Sequence, residues 1–319
     1  MRSISFALIL LVFPVTGYTA TWHVPSQCPT IQAGIDSAIA ADTVLVACGT
    51  YYEHWIVMKS GVTLESEAGI HGCVTINATW SGTVFLCDNL SELTTIRGFT
   101  IKLGYFDMYH NTGGMVCTNS FLTVSNCCFV GCYGYYGGAV YCTDSSPSFC
   151  NCSFSLNRSE DRMGGAVYCL RSSPSFLNCT FWKNHAWMDG ATMALENSSP
   201  TLTNCLLAYN WGDGWTNIWC GGTSEPVLTC CNLWTNSGNW NGYIGAQYGI
   251  NGNITEDPLF CEMDNWENLS IRSDSPCAPF SEPNAECDLI GAWPVGCVVT
   301  RTNGGQDRRT WSSLKALYR

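Results

Sequence analysis

"GGAVYCTDSSPSFCNCSFSLN", residues 137–157, is followed by "GGAVYCLRSSPSFLNCTFWKN", residues 164–184, and the two agree at 15 of 21 positions. A weaker copy, "GGMVCTNSFLTVSNCCFVGC", starts at Gly113, another, "GATMALENSSPTLTNCLLAYN", at Gly190, and a decayed one runs from about Thr216 to Asn236. Aligned, the copies form columns. Cys127, Cys152, Cys179, Cys205 and Cys231 recur at spacings of 25, 27, 26 and 26. Pro147, Pro174, Pro200 and Pro226 keep step with them, as do Asn157, Asn184, Asn210 and Asn236. Cys117, Cys142, Cys169 and Cys220 form another column, in which Leu195 replaces one member. A fixed period in the twenties marks stacked units that share one continuous core.

Each unit holds two short runs rich in Val, Phe, Tyr, Cys and Thr, separated by Ser-Ser-Pro or Gly-Gly, and no stretch of helical periodicity. Helical repeats are thereby excluded, and the absence of regularly spaced leucines disfavours a leucine-rich repeat. The remaining architecture is an all-β, single-stranded right-handed parallel β-helix of roughly nine coils, each climbing one strand spacing of ~4.8 Å so that like residues stack.

The units resemble the repeats of the pectate-lyase-like superfamily of right-handed parallel β-helices. "GGAV" at Gly137 and Gly164, with "FSLN" and "FWKN" behind it, is also similar to the GGA-[ILV] and F-x-x-N repeats of polymorphic outer-membrane proteins. Two flanks agree. The run from Cys28, "CPTIQAGIDSAIAADTVLVACGTYYEHWIVMKSGVTLES", resembles the opening coil of secreted β-helix proteins, and "EDPLFCEMDNWENLSIRSDSPCAP" from Glu256 resembles their closing coil. The resemblance implies a fold. It implies no chemistry, because this fold carries lyases, hydrolases, esterases and adhesins.

Charged residues make up 12% of the chain and aromatics 13%, the composition of an ordered protein with a substantial core. The formal charge of −11 argues against nucleic acid and anionic membrane as partners, leaving neutral glycans, cations and other proteins. "MRSISFALILLVFPVTGYTA", residues 1–20, has a basic start, an apolar stretch from Ile4 to Phe13 and cleavage points after Gly17 or Ala20, so it reads as a secretory signal peptide. No later run is long and apolar enough to suggest membrane insertion. The expected organisation is thus a signal peptide (1–20), an N-terminal strand and capping helix (21–42), the β-helix with its closing coil (43–297), and a flexible basic tail (298–319). The tail carries 5 of the chain's 14 Lys and Arg residues and places Trp311, Leu314 and Leu317 or Tyr318 on one side of a short helix, a hook for its own acidic surface or for an export or envelope partner.

The 21 cysteines of an exported chain suggest disulfides. The columns argue otherwise for many of them: stacked Cys side chains point the same way, leaving their Cβ atoms ~4.8 Å apart where a disulfide prefers ~3.8 Å. The two repeat columns are expected to be files of buried free thiols. Cys261, Cys277, Cys287 and Cys297, outside the repeat, are the disulfide candidates. Neighbouring pairs such as Cys127–Cys128 and Cys230–Cys231 are expected on strands, facing opposite ways, while Cys150 and Cys152 are expected to share a face. None has the company of a zinc site, so no metal is expected among the thiols.

The asparagine column is expected to bond amide to amide up the stack. The N-x-S/T triplets at Asn151 and Asn178 are expected inside strands and so unglycosylated. "TIQAGIDSAIA" places Ile31, Ile35 and Ile39 at helical spacing with Thr30 as cap, a helix lying over the open end of the first coil.

No catalytic set is legible. The acids of the repeats fall in turns, and Asp144 and Arg171, in one column, read as an exposed ion pair. His54, His71, His110 and His185 lack a matched nucleophile, and 9 Lys and Arg precede residue 301. One constellation does suggest binding. The turn before each glycine pair carries Tyr133, Tyr135 and Tyr136, then Glu160 and Asp161, then Trp187 and Asp189, then Trp211, Asp213 and Trp215, which stacking should align along one edge. Aromatic faces interspersed with carboxylates hold sugar rings, the acids taking hydroxyls or a calcium ion; the alternative, of equal standing, is that the aromatics pack over the turns and the acids keep them soluble. The favoured function is a non-catalytic, glycan-binding or adhesin-like protein, monomeric and secreted or at the cell surface. A polysaccharide lyase or glycoside hydrolase with an unrecognised active site is the alternative, and a structural envelope protein the third.

Overall fold

A computed structural model describes residues 19–90, 94–106, 111–263, 265–302 and 305–309, with side chains to residue 298. The expected signal peptide falls outside the described residues except for its last two, and the expected tail helix lies wholly outside them.

One coil shows why the repeat folds as it does. Leu122–Ser125 forms a strand of a first sheet, Cys128–Val130 a strand of a second, and Val140–Thr143 a strand of a third, with the short pair Tyr133–Gly134 between the last two. The next coil then lays Ser148–Cys150 on Leu122–Ser125. Alternation within each strand sends one residue inward and the next outward: Leu122 and Val124 are buried, Thr123 and Ser125 half-buried. Repetition builds parallel sheets of 9, 8 and 7 strands and a short edge sheet of 4, a right-handed parallel β-helix as the period requires.

The corners between sheets are set by single residues in the left-handed backbone region. Asn126, Asn151, Asn178 and Asn204, with φ of 52°, 51°, 49° and 52°, turn the chain from the first sheet into the second, and Asn tolerates this conformation better than most residues. Each is followed by an inward cysteine of the first column, so Asn-Cys is the signature of this corner. At the entry to the third sheet Gly137 and Gly164 take φ of 63° and 77°, where a Cβ would run into the carbonyls of Val140 and Val167. The repeated Gly-Gly is thus a packing requirement of the corner.

Ladders fill the interior. Phe129, Phe154 and Phe181 stack at centroid separations of 5.2 and 4.7 Å, and Phe149 on Phe176 at 5.1 Å. The asparagine column bonds as expected: the Nδ2 groups of Asn157, Asn184 and Asn210 donate to Oδ1 of Asn184, Asn210 and Asn236 at 3.0, 2.9 and 2.9 Å. A serine ladder unread in the sequence runs beside it, the amides of Ser120, Ser145, Ser172 and Ser198 donating to the hydroxyls of Ser145, Ser172, Ser198 and Ser224 at 2.8–3.0 Å. Both thiol columns are buried and free, and Cys87 extends the second of them through its register with Cys117. In the first column each thiol donates to the carbonyl two residues before it, as Cys179 does to Leu177 at 3.4 Å, so the thiol closes the corner as well as filling it.

Several expectations change. Three disulfides form: Cys261–Cys297, Cys230–Cys287 and Cys48–Cys73. Cys277 is free and buried, its thiol pushed up to about 12 by burial and taking a bond from Asn232 Nδ2 at 3.0 Å. Cys48 and Cys73 lie in neighbouring coils with Cα atoms 4.8 Å apart, but outside regular strands, where side chains are free to turn towards each other. Cys150 and Cys152 do not share a face, because the left-handed turn at Asn151 leaves Cys150 outward and half-buried and Cys152 inside. That same turn places Asn151 on an exposed corner rather than inside a strand, and Asn178 likewise sits at a corner. The capping helix spans Ile31–Ser37 with the Thr30 hydroxyl accepting from the Ala33 amide. It buries Ile31 and Ile35, but Ile39 lies beyond its end and is exposed.

The largest departure concerns residues 256–297. They do not extend the stack as a closing coil. They run back along the outer face of the second sheet, where Phe260, Leu269, Ile271, Cys277 and Ile290 pack on Trp182, Leu206 and Ala208. The Gly291 amide donates to the Asn204 carbonyl at 2.9 Å, and Trp293 reaches His71 at a ring separation of 4.6 Å. This explains why outward residues of that sheet, Val130, Ser155 and Trp182 among them, are buried. At its end, Val295–Thr302 pairs antiparallel with Gly305–Arg309, two strands where the expected flexible tail begins.

Candidate binding edge

The edge between the second and third sheets carries the residues singled out in the sequence, and its geometry follows from the asparagine column. Each inward Asn is followed by an outward residue, so Arg158, His185 and Trp211 stand in one register column, with Tyr133 above them. Two residues further on, Tyr135, Glu160, Trp187 and Asp213 occupy the next outward positions.

The expected stripe divides in two. In its upper half the tyrosines are engaged with one another and with rings from the neighbouring coils. Tyr133 meets Trp80 edge-on at 4.8 Å and stacks on Tyr105 at 6.2 Å; Tyr135 lies 6.0 Å from Phe106 and 5.2 Å from Tyr136, which packs on Tyr168 at 4.6 Å. Arg162 Nε donates to the Tyr135 hydroxyl at 3.0 Å with its guanidinium 5.3 Å from the same ring. All three tyrosines are half-buried.

In the lower half the indoles are open to solvent. Trp187, Trp211 and Trp215 are 52%, 55% and 79% exposed. The carboxylates between them differ: Asp189 accepts the Thr216 hydroxyl at 2.9 Å and so braces the turn, whereas Asp161 and Asp213 are exposed. Among the described residues no group of three or more His, Cys, Asp or Glu is placed to hold a metal ion. Asp144 and Arg171 form the expected exposed ion pair, which is bidentate at 2.7 and 2.6 Å and lies away from this column.

Two residues of the edge went unread as functional: Arg158 and His185. His185 is 7% exposed beneath Trp211, whose ring centre lies 3.7 Å from its own, and neither ring nitrogen has a hydrogen-bond partner. Burial, and then the charge of Arg158, hold its pKa below the usual histidine value, against the opposing pull of Asp213. The signal was present as the position after each column asparagine, whose occupants differ too much in chemistry to look like a set.

Among the described residues no helix is long and apolar enough to cross a membrane. Compared with protein-family models, curated proteins and solved structures, the chain finds no match in any of the three.

Proposed function

We propose that this chain is an exported, non-catalytic β-helix protein that binds glycan, adhesin-like, through the lower edge of its solenoid, and that it belongs with the pectate-lyase-like β-helices its repeats resemble. The observation that carries the reading is the set of exposed indoles on two successive turns of a rigid scaffold, Trp187 on one and Trp211 and Trp215 on the next. Exposed aromatic faces spaced by coils ~4.8 Å apart suit stacking against the rings of an extended sugar chain. A rigid scaffold supplies them without an ordering cost on binding. Export rests on residues 1–20, and three disulfides fit an oxidising compartment.

The test is a glycan array probed with the mature protein, with reducing-sugar release measured on every hit. Retention that disappears in Trp187→Ala and Trp215→Ala, without sugar release, supports the reading. Sugar release from a hit favours the lyase or hydrolase alternative, and retention indifferent to both substitutions removes the edge from consideration. Calcium is tested in the same format: a chelator and Asp213→Asn abolish retention together if the ion bridges protein and sugar, whereas a carboxylate that only accepts hydroxyls costs ~1–2 kcal/mol on substitution.

A further inference from the structure

We infer that Arg158 and His185 form a subsite for a sulfate ester carried by the bound glycan, with Trp211 as its movable cover. The inference rests on the reading of the edge as a glycan-binding surface.

Buried polar side chains are nearly always hydrogen-bonded, and the exceptions call for an explanation. Here two such exceptions are neighbours. Arg158 Nε is buried without a partner, and both nitrogens of His185, one strand away in register, are buried without partners. The carboxylates of the edge do not hydrogen-bond to them: Asp189 is held by Thr216, Asp213 acts on His185 through its charge alone, and Arg158 has no place among the ion pairs between described residues, which join Arg97 to Glu65, Arg171 to Asp144 and Arg272 to Asp274. The site therefore presents an arginine N–H and an imidazole N–H with nothing to receive them. The group that completes it is an acceptor, and the fixed charge of Arg158 makes an anionic acceptor the stronger partner.

The arrangement of donors selects the kind of anion. A carboxylate is best held by two parallel N–H groups of one guanidinium fork. In this site the buried donors come from different residues on adjacent strands, ~4.8 Å apart along the axis. Divergent donors of this kind suit the tetrahedrally disposed oxygens of a sulfate ester. Trp211 lies on His185 but is more than half exposed, and exposed side chains change rotamer within nanoseconds. Turning aside, its indole uncovers the imidazole and offers a face to the sugar that bears the sulfate. Against a net charge of −11 the attraction is local, and a ligand lacking the anion leaves the buried donors unpaired, which is how such a site discriminates.

The probes are a sulfated galactan, the same galactan after chemical desulfation, and polygalacturonate, each immobilised and offered to the mature protein in 0.15 M salt. Retention at least tenfold stronger on the sulfated galactan than on its desulfated form is expected. Arg158→Gln and His185→Leu should each reduce it to the desulfated level with melting temperature measured alongside. Should either substitution compromise folding, the native protein still reports: adding sulfated galactan should change its indole fluorescence more than the desulfated form does, and Trp211→Phe should remove that excess. Equal retention of the two galactans, retention of none of the three probes, or a fluorescence response unaltered in Trp211→Phe overturns the inference. Polygalacturonate retained as well as the sulfated galactan overturns the assignment to sulfate. A neutral glycan retained by the wild type and lost in Trp187→Ala, with no effect of sulfation, leaves the binding edge standing and the subsite fallen, so the two readings fail separately.

Discussion

The upper and lower halves of the edge occupy equivalent positions on successive coils, yet one is a packed aromatic cluster and the other an open surface. Above, Tyr133, Tyr135 and Tyr136 spend their faces on Trp80, Tyr105, Phe106, Tyr168 and each other. Below, Trp187 and Trp215 project into solvent and Trp211 touches only His185 among rings. Equivalent sequence positions on a solenoid therefore share a direction without sharing a partner. What separates structural from available aromatics is the neighbouring coil: residues 80–106 supply rings to the tyrosines, and the coils below supply Asp213 and Ser237 instead.

The comparison is broken at a stroke by anything that dissolves the scaffold common to both halves. Cys179 sits fully buried in the first thiol column, so Cys179→Asp places an unpaired charge between coils. The expected loss is about 3–5 kcal/mol or more, read as loss of the cooperative melt in circular dichroism. A variant melting like wild type would mean that this thiol faces water. Next in size is the upper half itself. Tyr133→Ala removes contacts to two rings and should destabilise by ~1–3 kcal/mol in urea titration. Glycan retention should fall only as far as the folded fraction does.

Acid probes the lower half from beneath. Burial depresses the pKa values of His185 and, at the other flank, of His71. The unfolded chain then takes up protons before the folded one does. Stability is complete above the unfolded histidine value of ~6.5 and is lost as pH falls through the lowered folded values. Arg158 adds to the depression at His185 and Asp213 opposes it, while His71 faces Trp293 and the Asn126 backbone. A urea midpoint that declines from pH 7 to pH 5, and declines less in His71→Gln, is the expected result. A midpoint rising with acid would contradict it.

The smallest stability effects belong to the exposed indoles. Trp187→Ala and Trp215→Ala should each change stability by no more than ~0.5 kcal/mol, while removing retention on the cognate glycan. If the melting temperature drops as it does for Tyr133→Ala, the two halves are alike and the contrast fails. Thiol counting sharpens the scaffold side of the picture: the denatured chain should alkylate at 15 cysteines and keep three pairs. The native protein should react first at Cys150, the free thiol that is not fully buried.

The architecture was legible because its contacts are local in a special sense. Each coil packs on a near copy of itself some 26 residues away, so the column that reveals the period also names the contact: Asn157 on Asn184, Phe154 on Phe181, Cys152 above Cys179. The inward thiols and the direction of the edge followed from that repetition, and the capped helix at Ile31–Ser37 from its own isoleucine spacing behind Thr30. Tertiary structure alone decided what depends on unlike partners at unpredictable separations. The expectation that residues 256–297 close the stack rests on the resemblance of the run from Glu256 to a closing coil, and a resemblance of sequence does not say which surface a segment covers; their apolar residues are buried on the flank of the second sheet. The same blindness covers Cys230 pairing with Cys287 at a separation of 57 residues and Cys277 left free. It also covers the division of one aromatic stripe into a packed half and an open one. A periodic pattern determines which way a side chain points, and only the assembled surface determines whether anything is there to meet it.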